Sequence, residues 1–333
     1  MTFHSIREFI GSLHIGNYLA LAIACLLTNI LPAQSSLLPA KPDAIRVLQL
    51  LKVDNLRPRY PDALPSILRE LNEKTTANFD TSPLVVNNLE DETLSKHTFL
   101  YINYDDQPEI ALTEGEIQSL RKFLERGGFC YIDAGIKAEF IGTNRGHSFA
   151  NWEVRPEVAA IFEKVFPGKS FRPLSREHDI FRCYYKGLPK GDKLPEAIRD
   201  FVENEKWPQG TYSFLGLHVE ERLSVLVTPI IAMGWGKDES GNWVSPISFR
   251  IREKAEDARL QAASYTGSKF DASREDGLRD VIYSQIGQLP AWVEEPNGRW
   301  RIFRYYSGKE ISDYANSFYT QLGVNIFVHA LSN

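Results

Sequence analysis

Apolar residues along this chain fall into short runs that alternate with segments of helical spacing. Residues 45–53, 98–103 and 129–132 are rich in large apolar side chains and have the length of buried strands. Residues 64–71 place leucine and isoleucine at helical spacing between the first two runs. This alternation of strands and helices predicts an α/β fold with a mostly parallel sheet.

The strongest local signal precedes the run at 129–132. Thr113 and Glu116 have the spacing of a capping box, in which the threonine hydroxyl and the glutamate carboxylate bond each other's backbone amides. Apolar residues then recur on one face of a predicted helix, and Gly127-Gly128 ends it by supplying a positive φ. Strand, helix and strand at this spacing predict a βαβ crossover, whose sheet is covered on both faces.

The remaining pattern is more varied. We expect a short strand at 83–86, a helix at 155–166 and two strands at 214–219 and 223–228. Residues 252–276 are small and charged, which predicts an exposed excursion. Beyond them we predict a helix at 277–286, a hairpin turn at 296–299 (Pro-Asn-Gly-Arg) and a C-terminal helix at 312–331.

The N-terminal segment has the character of an export signal. Residues 18–31 form an uncharged apolar run of signal-peptide length, and Ala33 suits the position before a cleavage site. We therefore expect residues 1–33 to be a cleaved signal peptide and residues 34–333 to be a single domain. The alternatives are an uncleaved anchor through residues 18–31, a core helix, or a lipoprotein attached at Cys25.

Composition narrows the class of protein. Lys and Arg number 38 against 43 Asp and Glu, so the formal net charge is −5 and gives no basic excess for binding nucleic acid. Charged residues at 24% and hydrophobic residues at 43% are typical of a globular chain. After signal cleavage we expect no stable membrane span and a location in the periplasm.

Residues 120–135 (LRKFLERGGFCYIDAG) resemble the helix–Gly-Gly–strand unit of class I glutamine-amidotransferase-like proteins. From about residue 45 to the end, the order of several further pieces resembles the bacterial family called domain of unknown function 4159. This resemblance implies a flavodoxin-like three-layer α/β sandwich, here with hairpin and C-terminal helix elaborations. It also implies export or membrane linkage, and it brings no established activity. The pieces are Tyr60-Pro61, Phe99-Leu100-Tyr101-Ile102, Val165-Phe166-Pro167, Leu174, His178-Asp179-Ile180-Phe181 and Gly323-Val324-Asn325-Ile326.

The chain departs from the active amidotransferases at the residue that matters most for their chemistry. Those enzymes carry a cysteine nucleophile on the sharp turn after such a strand, whereas the strand end here carries Asp133. Cys130 lies three residues earlier, inside the predicted strand, where a thiol is packed rather than presented to substrate. Glutaminase activity is therefore not expected, and we expect Cys130 and Cys183 to be two buried thiols rather than a disulfide.

Asp133 is the first candidate for a site, because ligands of open α/β sheets bind outside the carboxyl ends of the strands. Its structural alternative is to accept hydrogen bonds from the amides that follow it. His178 and Asp179 are further ligand-binding candidates, and His178 could instead stabilise a turn. The seven histidines show no metal-binding spacing, so neither a metal nor any other cofactor is predicted.

Two further features suggest ligand contacts. Trp235 and Trp243 lie in a polar loop, where they would form a stacking platform for a sugar or a partner, or else pack back on the body. Arg57 and Arg59 beside Tyr60 would suit an anionic ligand, or would simply be solvated.

These features give two principal hypotheses. The first is a non-catalytic binding or scaffold module of the cell envelope, whose partner is an envelope protein or a small ligand. The alternative is a hydrolase of unknown substrate that uses Asp133 and His178, which requires the two side chains to share a cleft. Carbohydrate recognition through Trp235 is a third reading.

Overall fold

A computed structural model describes residues 44–53, 57–107, 110–137, 153–175, 177–187, 189–196, 198–199, 214–243, 247, 249–253, 258–267, 270–273, 279–282, 290–294, 298, 300–306 and 308–332. The signal-peptide prediction for residues 1–33 lies outside them. The strands are β1 (Leu48–Leu50), β2 (Leu84–Val86), β3 (Phe99–Asn103), β4 (Phe129–Asp133), β5 (Ile136–Lys137), β6 (Glu153–Val154), β7 (Arg172–Pro173), β8 (Leu215–Val219), β9 (Arg222–Val227), β10 (Phe249–Glu253), β11 (Phe270–Ser273), β12 (Arg279–Ile282), β13 (Pro290–Glu294) and β14 (Trp300–Tyr306). The α-helices are α1 (Ala63–Lys74), α2 (Asp91–Leu94), α3 (Glu114–Glu125), α4 (Pro156–Val165), α5 (Ala258–Ala263) and α6 (Lys309–Ser332).

The main sheet has seven strands in the order β2-β1-β3-β4-β9-β8-β7. Strands β2, β1, β3, β4 and β9 are parallel, and β8 and β7 complete the sheet in antiparallel pairs. The predicted α/β class with a mostly parallel sheet is thus confirmed. The short β5 and β6 pair with each other beyond the end of β4.

Both faces of this sheet are covered, as the apolar runs predict. In β3, Phe99 and Tyr101 point into one core with α1 and α6, whereas Leu100 and Ile102 point into a second core with α3 and α4. This division follows from the alternation of side chains along a strand, which sends neighbours to opposite faces. All five residues of β3 and of β4 are buried, which explains why their sequences are continuous apolar runs.

Helix α3 begins with the predicted capping box. The backbone N–H of Glu116 donates to the Thr113 hydroxyl at 3.2 Å, and the Thr113 N–H donates to the Glu116 carboxylate at 2.8 Å. After the helix, Gly127 has φ +106°. A Cβ on Gly128 would lie 2.5 Å from the Phe123 ring, so glycine is required there for close approach.

A second sheet of five strands, in the order β10-β14-β13-β12-β11, is built from the region after residue 248. One sequence prediction is corrected here: the helix predicted at 277–286 is wrong, because β12 lies there. Part of the segment 252–276, for which an exposed excursion is predicted, forms the end of β10, α5 and β11. The strands among these segments form because they pair with neighbouring strands. The spacing of apolar residues within a segment does not predict such pairing. The hairpin at 296–299 is confirmed, since β13 and β14 pair antiparallel across Gly298, whose φ is +77°.

The C-terminal helix α6 runs along the core that contains α1. A Cβ on Gly323 would lie 2.8 Å from the Trp235 indole nitrogen and 2.9 Å from Ile67 Cδ1. The missing side chain therefore lets α6 pack directly against α1 and Trp235. Among the residues described, no helix combines the length and the apolar character needed to cross a bilayer.

Candidate binding site at the carboxyl edge of the sheet

The carboxyl ends of β1, β3 and β4 form one edge of the main sheet, which we call the carboxyl edge. Strand β1 lies between β2 and β3, so the chain passes from one side of β1 to the other between these strands. Such a reversal leaves a crevice outside the strand ends, where open α/β sheets bind ligands. The segments that follow β1, β3 and β6 meet at this edge.

An ionic cluster lies at the centre of the carboxyl edge. The Asp105 carboxylate, which follows β3, receives Arg59 Nη1 at 3.3 Å on one oxygen and Arg155 Nη2 at 3.2 Å on the other. The side chains of Arg59, Arg155 and Asp105 are 61%, 35% and 23% exposed, so solvent reaches all three. Three segments that are distant in sequence thus place two guanidinium groups around one carboxylate.

Hydrogen bonds to the backbone hold these segments in place. The Arg59 N–H donates to Asp106 Oδ1 at 2.6 Å, and the Asp105 N–H donates to the Asn103 side chain at 3.0 Å. The Gln107 amide accepts from a backbone N–H at the end of β1 at 2.8 Å and donates to a carbonyl there at 3.1 Å. The loops after β1 and β3 are therefore joined to each other at the edge.

Aromatic rings support both arginines. The Arg59 guanidinium lies 5.5 Å from the centre of the Tyr60 ring, and the Arg155 guanidinium lies 5.4 Å from the centre of the Tyr104 ring. Burial is the largest cause that raises the pKa of Tyr60, and the nearby carboxylates, including Asp105, raise it further. Arg59 and Tyr60 are candidates from the sequence, whereas Arg155 and Asp105 emerge only from the fold.

Asp133 lies at the same edge but is fully buried. Its carboxylate accepts hydrogen bonds from the N–H groups of Ile231 at 2.8 Å and Ala232 at 3.1 Å, and from the hydroxyls of Tyr131 at 3.1 Å and Thr228 at 3.2 Å. Burial raises the pKa of Asp133 to about 7, against the opposing effect of these four donors. The carboxylate therefore joins β4 to the loop after β9, and does not cap the amides directly after it.

The sharp turn after β4 is made by Ala134 rather than by Asp133. Ala134 has φ +58°, a conformation that non-glycine residues rarely adopt, and its methyl group is buried in the core beside α3. Gly135 follows, where a Cβ would lie 2.5 Å from Val227. Arg155 Nε donates to the Ala134 carbonyl at 2.9 Å. The side chain at the turn after β4 is therefore a buried methyl group.

Neither of the two described cysteines lies at the turn after β4. Cys130 is fully buried within β4, and burial raises the pKa of its thiol well above the usual range. Cys183 is exposed, contrary to our expectation, and its thiol contacts the Asn325 carbonyl at 3.2 Å. Both are free thiols.

His178 lies at the opposite end of the sheet from Asp133. Its Nδ1 accepts from the Ile180 N–H at 3.2 Å, and its ring centre is 5.3 Å from that of His329. His329 in turn packs edge-on against Phe129, the first residue of β4, with ring centres 6.5 Å apart. Asp133 is the last residue of β4, which is about 13 Å along the strand from Phe129 at 3.3 Å per residue. The structure does not bring Asp133 and His178 into one cleft.

The other ligand-binding candidates also lie away from the carboxyl-edge cluster. Asp179 is 78% exposed and pairs with Arg182 at 3.4 Å. Trp235 is fully buried and packs against aromatic rings of the core, including Tyr101 at 5.6 Å between ring centres. Of the two alternatives for this loop, a stacking platform or packing back on the body, the burial of Trp235 fits the second. Trp243 donates its indole N–H to Asp313 at 2.5 Å.

A groove of about 1000 Å³ adjoins the carboxyl edge on the β2 side. Pro58 and Pro61, which flank the Arg59-Tyr60 segment, line it together with Val85 of β2 and Asn88. Within the described residues, no group of three His, Cys, Asp or Glu side chains has an arrangement that could hold a metal ion.

Comparison with known families agrees with the family resemblance. The family model described as domain of unknown function (DUF4159) matches residues 50–263, nearly two thirds of the chain. No curated protein matches the sequence. The match runs from the last residue of β1 to the last residue of α5, and it includes the segments that meet at the carboxyl edge. The chain belongs to the family of proteins that contain domain of unknown function DUF4159.

Proposed function

We propose that this chain is a non-catalytic binding module of the bacterial cell envelope, and that its ligand binds at the carboxyl edge. The convergence of Arg59, Asp105 and Arg155 at that edge carries the proposal. Each comes from a different segment, so the fold itself brings them together. The groove beside Pro58 and Pro61 offers adjoining space for the rest of a ligand.

The strand order supports this location. Taken in chain order, the parallel strands follow the 2-1-3-4-5 pattern of flavodoxin-like folds, whose ligands lie outside the ends of the first and third strands. We therefore propose a flavodoxin-like fold related to the class I glutamine-amidotransferase-like proteins. Two features favour binding over amidotransferase chemistry: the Ala134 methyl at the turn and the burial of Cys130.

Hydrogen–deuterium exchange with a library of small polar molecules tests the position of the site. Bound molecules should protect residues 57–60, 103–107 and 153–155, and Arg155→Gln should abolish that protection. Arg46→Gln is the matched control, since Arg46 pairs with Asp80 away from this edge. Protection confined to 172–182 and the end of α6 would instead assign the site to the amino ends of the strands.

The non-catalytic part of the proposal has its own test. Purified protein should leave panels of esters, amides and glycosides unchanged. Turnover that is lost in Asp133→Asn, with the folded content preserved, would overturn it.

We further propose that the protein is exported, with residues 1–33 removed as a signal peptide. N-terminal sequencing of the protein recovered from the periplasm should begin near Gln34. Recovery from the membrane with residues 18–31 intact would show an uncleaved anchor, and recovery from the cytoplasm alone would refute export.

A further inference from the structure

We propose that the carboxyl edge binds an anionic group, a carboxylate or a phosphoryl group, in the position between Arg59 and Arg155 that the Asp105 side chain occupies. Asp105 then acts as an internal competitor that the ligand displaces. This inference rests on the proposed function, because it names the ligand chemistry of the same site.

The two ion pairs are made by single contacts. Arg59 meets one oxygen of Asp105 at 3.3 Å and Arg155 meets the other at 3.2 Å. Charge-assisted bonds of this kind are usually 2.7–2.9 Å, and arginine binds carboxylates best through two parallel bonds. Within the described part of the chain, the Arg59 side chain donates to Asp105 alone. Its remaining N–H groups, which bond to none of the described residues, suit an anion with more oxygens, or with better placed ones.

The arginines do not depend on Asp105 for their position. The Arg155 Nε is held by the Ala134 carbonyl at 2.9 Å, and its guanidinium lies over Tyr104. The Arg59 backbone is held by Asp106, and its guanidinium lies over Tyr60. Two preorganised cations therefore persist when the carboxylate between them leaves, which lowers the cost of binding a replacement.

Asp105 is the group that can move. It lies in the one-turn 3₁₀ helix Tyr104–Asp106, and its side chain is 23% exposed. Rotation about its side-chain bonds carries the carboxylate towards solvent without unfolding β3. Both guanidinium groups bond to the carboxylate of Asp105, so a ligand anion that replaces it gains two cationic partners at once.

Isothermal titration calorimetry with inorganic phosphate and with succinate tests the inference on the purified protein. Asp105→Asn should raise the affinity for at least one of these anions about tenfold or more, because it removes a negative charge from the site. Asp80→Asn is the matched control: Asp80 pairs with one arginine, Arg46, where Asp105 pairs with two, and its substitution changes the net charge equally. It should leave both affinities unchanged.

The two titrations distinguish the source of the anionic group. Tighter binding of phosphate alone indicates a phosphoryl ligand, and tighter binding of succinate alone indicates a carboxylate ligand. Adding Arg155→Gln to Asp105→Asn should abolish the gain. If Asp105→Asn does not fold, Arg59→Gln replaces it; this mostly exposed side chain should lower anion affinity about tenfold when changed.

A folded Asp105→Asn protein that binds neither anion more tightly than the original would overturn the inference. So would an equal gain in Asp80→Asn, which would show a general charge effect. If neutral molecules still protect the carboxyl edge in hydrogen exchange, the proposed function stands without the anion. If no molecule protects that edge, the proposed function itself fails.

Discussion

Replacing Asp133 with asparagine should remove a pH dependence from the free energy of unfolding. The folded protein holds a proton on Asp133 up to about pH 7, whereas the unfolded chain releases it near pH 3.8. Between these values the folded state binds more protons, so its stability falls as pH rises. Between pH 3.8 and pH 7 this effect lowers the free energy of unfolding by at most about 4 kcal/mol. Asp133→Asn has no carboxyl group there and should not show this loss.

The substitution also has a cost that does not depend on pH. Asparagine keeps one carbonyl oxygen for Ile231, but its NH₂ group would then face the Ala232 N–H, which donates to Asp133 at 3.1 Å. Two donors facing each other in a buried site cost about 1–3 kcal/mol. The variant should therefore be the less stable protein near pH 4 by about 1–3 kcal/mol, and should equal or exceed the original protein in stability by pH 8.

Urea unfolding at one-unit intervals from pH 4 to pH 8 measures this change. Ile132→Val is the control, because it removes one buried methylene of β4 and no titratable group, and its deficit of about 1 kcal/mol should be constant across pH. A constant difference between the original protein and Asp133→Asn would refute the reasoning. It would mean that the four donors outweigh burial and keep the carboxylate ionised throughout.

Three further predictions use the same measurement. Thr113→Ala should lower the free energy of unfolding by about 1 kcal/mol through loss of the capping box with Glu116, and Thr113→Ser should restore it. Gly128→Ala should cost about 1–3 kcal/mol because the new Cβ meets the Phe123 ring at 2.5 Å; a cost under 0.5 kcal/mol would show that the ring moves aside freely. Burial lowers the pKa of His329 to about 4, so the titration of His329 by itself takes up to about 3 kcal/mol from the original protein as pH falls from 6.5 to 4, and His329→Phe lacks this contribution; a difference between the two stability curves that stays constant with pH would contradict this.

The sequence predicts best those parts of the fold whose conformation depends on interactions between residues close together in the chain. Thr113 and Glu116 are three residues apart, so their capping box is complete within one helical turn. The segment at 279–282 is the opposite case. Its conformation depends on pairing with β11 and β13, and no local spacing shows whether those partners exist. A helix was predicted there because spacing alone was available.

The candidate site shows the same division. Asp133 was identified from its place at the end of an apolar run, but the amides that bind it lie 98 and 99 residues further on. Asp105 and Asp106 also follow a buried strand, which was an available signal for a second strand end at this edge. Arg155 gave no comparable signal, because 50 residues separate it from Asp105 and only the fold joins them.

Burial shifts the pKa of a group at each end of β4, and the two shifts have opposite effects on stability. Asp133 is the last residue of the strand, and His329 packs against Phe129, its first residue. Burial raises the pKa of the acid Asp133 and lowers that of the base His329. Between about pH 4 and 6.5, stability falls with rising pH through Asp133 and rises through His329, each by about 1.4 kcal/mol per pH unit. The two slopes oppose each other in the original protein, so a flat profile there does not mean that neither group is perturbed. Each single variant should expose the slope of the other group, and Asp133→Asn with His329→Phe should lack both slopes. Because one group ends β4 and the other packs against its first residue, their effects should add.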